Sequence, residues 1–133
     1  MLRRPAPWGR LVLLGSAVLL LSGCSSAQRA DVEAVAKTFA DPAGDPQTRC
    51  GLLAPTTLES FEESESAPCT EAIGQLPLEA GEVRSVEVWG GDAQVKLTGD
   101  TLFLTETHSG WRVTAAACRP EHEAPYDCEV EAG

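Results

Sequence analysis

The residues of this chain able to do chemistry are five cysteines, two histidines and a few grouped carboxylates. Cys24 stands apart from the other four cysteines. It follows Leu21-Ser22-Gly23 at the end of an apolar block that begins at Leu11. A thiol behind two small residues at such a place is a candidate for covalent modification. Cys50, Cys69, Cys118 and Cys128 form an even set, which in an exported chain implies two disulfides among three possible connectivities. Local pairing, Cys50–Cys69 with Cys118–Cys128, closes the shortest loops and is the expected one. Each bond would contribute about 3 kcal/mol in the chain-entropy account. A metal site built from Cys118, His122 and Cys128 matches no zinc spacing, so no metal is expected.

Acid–base and nucleophilic chemistry find less material. His108 falls in a turn, His108-Ser109-Gly110, and His122 in a Pro-rich loop between the last two cysteines. Both positions read as exposed rather than as a base held in a cleft. Tyr126 and Asp127 make a donor–carboxylate pair, better explained by structural hydrogen bonding at the tail. The run containing Glu62, Glu63 and Glu65 lacks the alternating oxygen ligands and the Gly of a calcium loop. There is no Gly-x-Ser-x-Gly elbow and no phosphate-cradling Gly loop. No catalytic set and no cofactor are expected. Trp89, next to Gly90-Gly91, is a candidate contact for a partner, whereas Trp111 reads as core.

The N-terminal stretch has the parts of a secretory leader: Arg3, Arg4 and Arg10, then an apolar core from Leu11 to Leu21. That core is too short for the ~20 residues a spanning helix needs. Leu21-Ser22-Gly23-Cys24 resembles the lipobox of bacterial lipoproteins. The resemblance implies a leader over 1–23, a lipidated Cys24 with a polar tether over 24–30, and one domain over 31–133. It also implies a lipid-anchored protein on the extracytoplasmic face of the cell membrane. Its partners would be the membrane, through the lipid, and an envelope protein or small ligand. Extended, Ser25–Ala30 would reach no more than roughly 20 Å.

Charge narrows the partners. Three of the ten basic residues lie in the leader, so residues 24–133 carry seven against 20 acidic ones, a net charge of −13. Such a chain lacks the basic footprint nucleic acid needs, and it does not favour anionic headgroups. An acidic, soluble surface is the plain reading. The 110 residues from Cys24 on suffice for one core.

Val32, Val35, Ala36 and Phe39 recur at helical spacing, and Asp41-Pro42 ends that helix. Asp45-Pro46 opens a second helix as N-cap and first residue. Thr56-Thr57-Leu58-Glu59 has the pattern of a capping box for a third. Pro68–Leu76 suggests a further turn or two. The period then drops to two. Val86 and Val88, then Ala93, Val95 and Leu97, then Leu102 and Leu104, then Trp111, Val113, Ala115 and Ala117 alternate between tight turns. These predict an α+β fold, helices packed on a four-stranded antiparallel meander, with the tail folded back along the sheet.

A helix pair carrying Cys50-Gly51-Leu52-Leu53-Ala54-Pro55, a second Cys about twenty residues on, and Gly110-Trp111-Arg112-Val113 leading to Cys118-Arg119-Pro120 together resemble a known group. These are small lipoproteins of high-GC Gram-positive bacteria, also matching at Pro125-Tyr126-Asp127-Cys128. The group looks like a compact variant of the nuclear-transport-factor-two-like cone, in which helices close over a curved sheet. No activity is carried over with it; the intact lipobox and the lack of a catalytic set lead instead to a non-catalytic binding or interaction module. Some cone-fold domains are isomerases or cyclases, so a small-molecule-binding or enzymatic domain is the alternative.

Overall fold

The computed structural model describes Arg3 and residues 22–79, 81–121 and 126–133, the backbone alone for 22–24. The apolar leader core and His122 lie outside these residues. The chain folds as α+β, with helices first and an antiparallel sheet second.

Helix α1 spans Ser22–Ala40. Val32, Ala36, Phe39 and Ala40 are buried, and Val35 packs at the margin. Asp41 ends the helix with a turn, its carboxylate accepting the amide of Ala43 at 2.9 Å. The stretch Ser25–Ala30, expected as a polar tether ahead of the helix, is instead part of it. The stretch holds no Gly or Pro, and Ala, Gln and Arg are good helix formers. Arg29 also donates to the backbone oxygen of Val86, fixing the extra turns to the sheet. No helix among the described residues is long and apolar enough to cross a membrane.

Helix α2 (Pro46–Gly51) starts as its sequence dictates, with Asp45 accepting from the Thr48 amide at 2.8 Å. Helix α3 (Pro55–Glu65) does not use the capping box. Pro55 takes the first helical position and Ala54 the cap, which leaves Thr57 buried and donating to the Thr114 carbonyl at 3.1 Å. Helix α4 (Cys69–Ala72) is one turn, followed by a 3-10 turn over Ile73–Gln75. Cys50–Cys69 joins α2 to α4 across a Cα separation of 6.0 Å.

Five strands follow: β1 (Val83–Trp89), β2 (Asp92–Leu97), β3 (Thr101–Thr107), β4 (Gly110–Arg119) and β5 (Asp127–Glu131). They lie in sequence order, each antiparallel to the next. The fifth corrects the four-strand expectation. Its sequence, Asp-Cys-Glu-Val-Glu, has a single apolar residue facing inward, too little to register as a period. Val130 is nonetheless fully buried, and Cys118 lies directly opposite Cys128, the two joined as a disulfide. Beside the start of β4, where β5 does not reach, Leu52–Ala54 takes its place: the Ala54 amide bonds the Val113 carbonyl at 2.9 Å, and the Val113 amide bonds Leu52 at 2.8 Å.

One face of the sheet is covered. Val95, Leu102, Leu104, Val113 and Val130 meet Val32, Phe39, Phe61 and Ile73 in a single core. Each such side chain contributes roughly 1.5–3 kcal/mol by burial. The opposite face carries Gln94, Phe103 and Thr105, all only half-buried, as expected where an antiparallel sheet meets water.

Candidate functional site

The exposed features that a partner could use gather at one end of the sheet. The two-residue turn Gly90-Gly91 joins β1 to β2, with φ of 63° at Gly90, a left-handed conformation glycine adopts freely. The next tip, between β3 and β4, is held against it: the Glu106 amide donates to the Gly91 carbonyl at 2.8 Å, and Thr105 Oγ1 donates to the same oxygen at 3.2 Å. Trp89 ends β1 at this tip and is 51% exposed, while Trp111 is 5% exposed and belongs to the core. Strand alternation puts Trp89 on the sheet face away from the helices, with Glu87 and Gln94.

His108 is exposed in the second tip. It borders a cleft of about 430 Å³ with an apolar floor of Leu53, Pro55 and Leu58 and with Arg112 at its edge. The Arg112 guanidinium is engaged with the Trp111 carbonyl at 2.9 Å. Tyr126 and Asp127 do not pair with each other. The Tyr126 ring meets Phe103 edge-on at 5.1 Å, and its hydroxyl accepts from Gln94 Nε2 at 3.3 Å. Glu62, part of the acidic run, accepts the Cys69 amide at 2.9 Å and so caps α4. Cys24 lies in the first turns of α1. Among the described residues, no three His, Cys, Asp or Glu side chains are grouped so as to hold a metal ion.

Two buried polar residues escape sequence reasoning. Arg49 lies over the Phe39 ring and donates Nε to the Phe39 carbonyl at 2.8 Å, closing the end of α1. Burial lowers the pKa of its guanidinium, with Asp41 acting in the opposite sense. Asp100, between β2 and β3, accepts three backbone amides: Thr101 at 2.7 Å, Cys118 at 3.0 Å and Ala117 at 3.2 Å. Burial pushes its carboxyl above the ordinary value of 3.8, while those bonds pull the other way. A carboxylate already committed to three amides is a structural clamp, not a free base. The only sequence signal for it is the turn pair Gly99-Asp100.

No protein-family model, no curated protein and no solved structure matches the chain.

Proposed function

We propose that the chain is an exported lipoprotein, held by Cys24 at the outer face of the cell membrane, whose α+β domain is a non-catalytic binding or interaction module. The observation that carries this reading is Leu21-Ser22-Gly23-Cys24 behind a basic, then apolar, leader. The resemblance to small lipoproteins with a nuclear-transport-factor-two-like cone belongs to the same reading. Its support from geometry is a core filled by Val, Leu, Ile and Phe side chains, and a buried carboxylate bound by backbone amides.

The test replaces Cys24 by Ser in cells fed radiolabelled fatty acid. Loss of label together with release of the protein from membranes is expected. Retention of both sinks the proposal. Crosslinking in intact membranes, with exposed Trp89 as one site of attachment, would then identify the partner.

One observation favours a small-molecule reading: the apolar cleft beside His108 and Arg112. Arg112 at its edge suits a small carboxylic acid with an apolar tail. Titration with short fatty acids, read from the His108 ring and Leu58 methyl resonances, decides it. Unmoved signals at saturating acid dismiss that reading.

A further inference from the structure

We infer that Trp89, at the β1–β2 tip, seats its indole in the interfacial layer of the same bilayer that Cys24 enters through its lipid, so that the domain is held at two points. The inference rests on the anchoring proposed above and goes beyond it by assigning the orientation of the domain.

The relation between α1 and β1 carries it. Arg29 of α1 bonds Val86 of β1, and eleven residues later Ala40 lines one cavity with Gly81 and Leu97, beside the start of β1. Eleven residues of helix rise about 16 Å, and the five steps from Val86 back to Gly81 span about 16 Å as strand. The two elements therefore run side by side in opposite directions. Cys24 lies five residues before Arg29, about 8 Å further along the helix. Trp89 lies three residues after Val86, about 10 Å further along the strand. The acylated residue and the exposed indole reach the same end of the molecule, level to within a few ångströms.

The chemistry of the tip agrees with a bilayer as occupant. Trp89 is the one large hydrophobic residue exposed among the described residues. Indole favours the headgroup layer of membranes, being an apolar body with one N–H donor. Gly90 and Gly91 add no side chain that would hold the ring away from the surface. Asp92 and Glu106 beside the ring are exposed and acidic, so the contact draws nothing from anionic lipid. The occupant is therefore the zwitterionic interface rather than an anionic patch.

The test uses residues 24–133, which hold all the elements above except the first two residues of α1, along with both disulfides. Cys24 is then the single thiol outside a disulfide and can be coupled to a maleimide-bearing lipid in phosphatidylcholine vesicles. Flotation establishes attachment. The acyl chains carry bromine near the headgroup, and tryptophan emission is read for the parent and for Trp89→Phe. Trp111 remains in both, and its near-ultraviolet dichroism reports that the variant is folded. The expected result is that the parent loses to bromine the share of emission that Trp89→Phe lacks, and that acrylamide in the water no longer reaches that share. A protein that floats while Trp89 stays unquenched by bromine and open to acrylamide overturns the inference and returns Trp89 to the role of a protein contact. Because attachment here is chemical, failure at the tip is separable from failure of Cys24 lipidation in cells.

Discussion

Asp100 and Cys118 are joined by a hydrogen bond of 3.0 Å from the Cys118 amide to the carboxylate of a residue eighteen positions earlier. The bond lies at a kink. Ala117, the preceding residue, has a φ of 53° and drops out of the pairing between Ala116–Val130 and Cys118–Cys128. A non-glycine residue held there costs about 1–3 kcal/mol and persists only where its surroundings fix it. Asp100 supplies that fixing by accepting both amides there, so the β2–β3 turn, the end of β4 and the second disulfide form one unit.

Removing the carboxylate should therefore be costly. Asp100→Ala leaves three amides of Thr101, Ala117 and Cys118 without their acceptor, and each buried amide so stranded costs about 1–3 kcal/mol. Because water enters where the carboxylate was, a net loss of about 2–4 kcal/mol is expected. Urea unfolding measures it, and a loss below about half a kcal/mol contradicts the clamp.

The same group sets a pH dependence. Burial raises the Asp100 carboxyl above its ordinary 3.8 in the folded chain. The folded state then holds the proton at a pH where the unfolded chain has released it. This stabilising contribution is fully present below the ordinary value and is lost as pH rises through the raised one. Other carboxylates titrate nearby, so the measurement is a difference. Between neutral and acidic pH, the parent should gain stability relative to Asp100→Asn. A constant gap between the two shows that Asp100 does not titrate differently on folding.

The two disulfides should differ in their resistance to reduction. Cys50 and Cys69 are both buried in the core, whereas Cys128 is half-exposed on the edge strand β5. Thiol attack depends on access to a sulfur. Limited treatment of the native protein with a phosphine, followed by alkylation and peptide mass analysis, should label Cys118 and Cys128 first. Earlier labelling of Cys50 and Cys69 contradicts the burial described for them.

What could be read from the sequence follows the periods that carry apolar residues. Val32, Ala36 and Phe39 announce α1 because a helix must hide that face, and Val95, Leu102 and Val113 announce strands for the same reason. The first turns of α1 were not legible. Ser25–Ala30 has no apolar face, and what holds Arg29 is a carbonyl 57 residues away. Strand β5 buries Val130 alone, which leaves no period to read. At α3 the pattern Thr56–Glu59 pointed to a cap that Pro55 pre-empts. Asp100 and Glu62 look like surface acids, since their amide partners are set by tertiary approach and not by neighbouring residues. Trp89 could be placed on the outer face by alternation, but its exposure depended on whether a helix covers that face, which the sequence leaves open.

The two tryptophans of the domain should respond to truncation in opposite ways. Trp111 is buried at the start of β4 among the core residues, and Trp111→Ala removes a large ring from a packed interior, a change that costs about 3–5 kcal/mol. Trp89 is half-exposed at a turn, where substitutions usually stay within about 0.5 kcal/mol. Its cross-strand partner is Asp92, too short and too polar to pack against the indole. Trp89→Ala should therefore leave the urea midpoint nearly unchanged while Trp111→Ala lowers it sharply. The contrast also bears on function, because a large exposed ring that adds little to folding is free to serve a surface. A drop on Trp89→Ala comparable to that on Trp111→Ala would show that the indole is needed for the fold, and the membrane contact assigned to it would lose its motive.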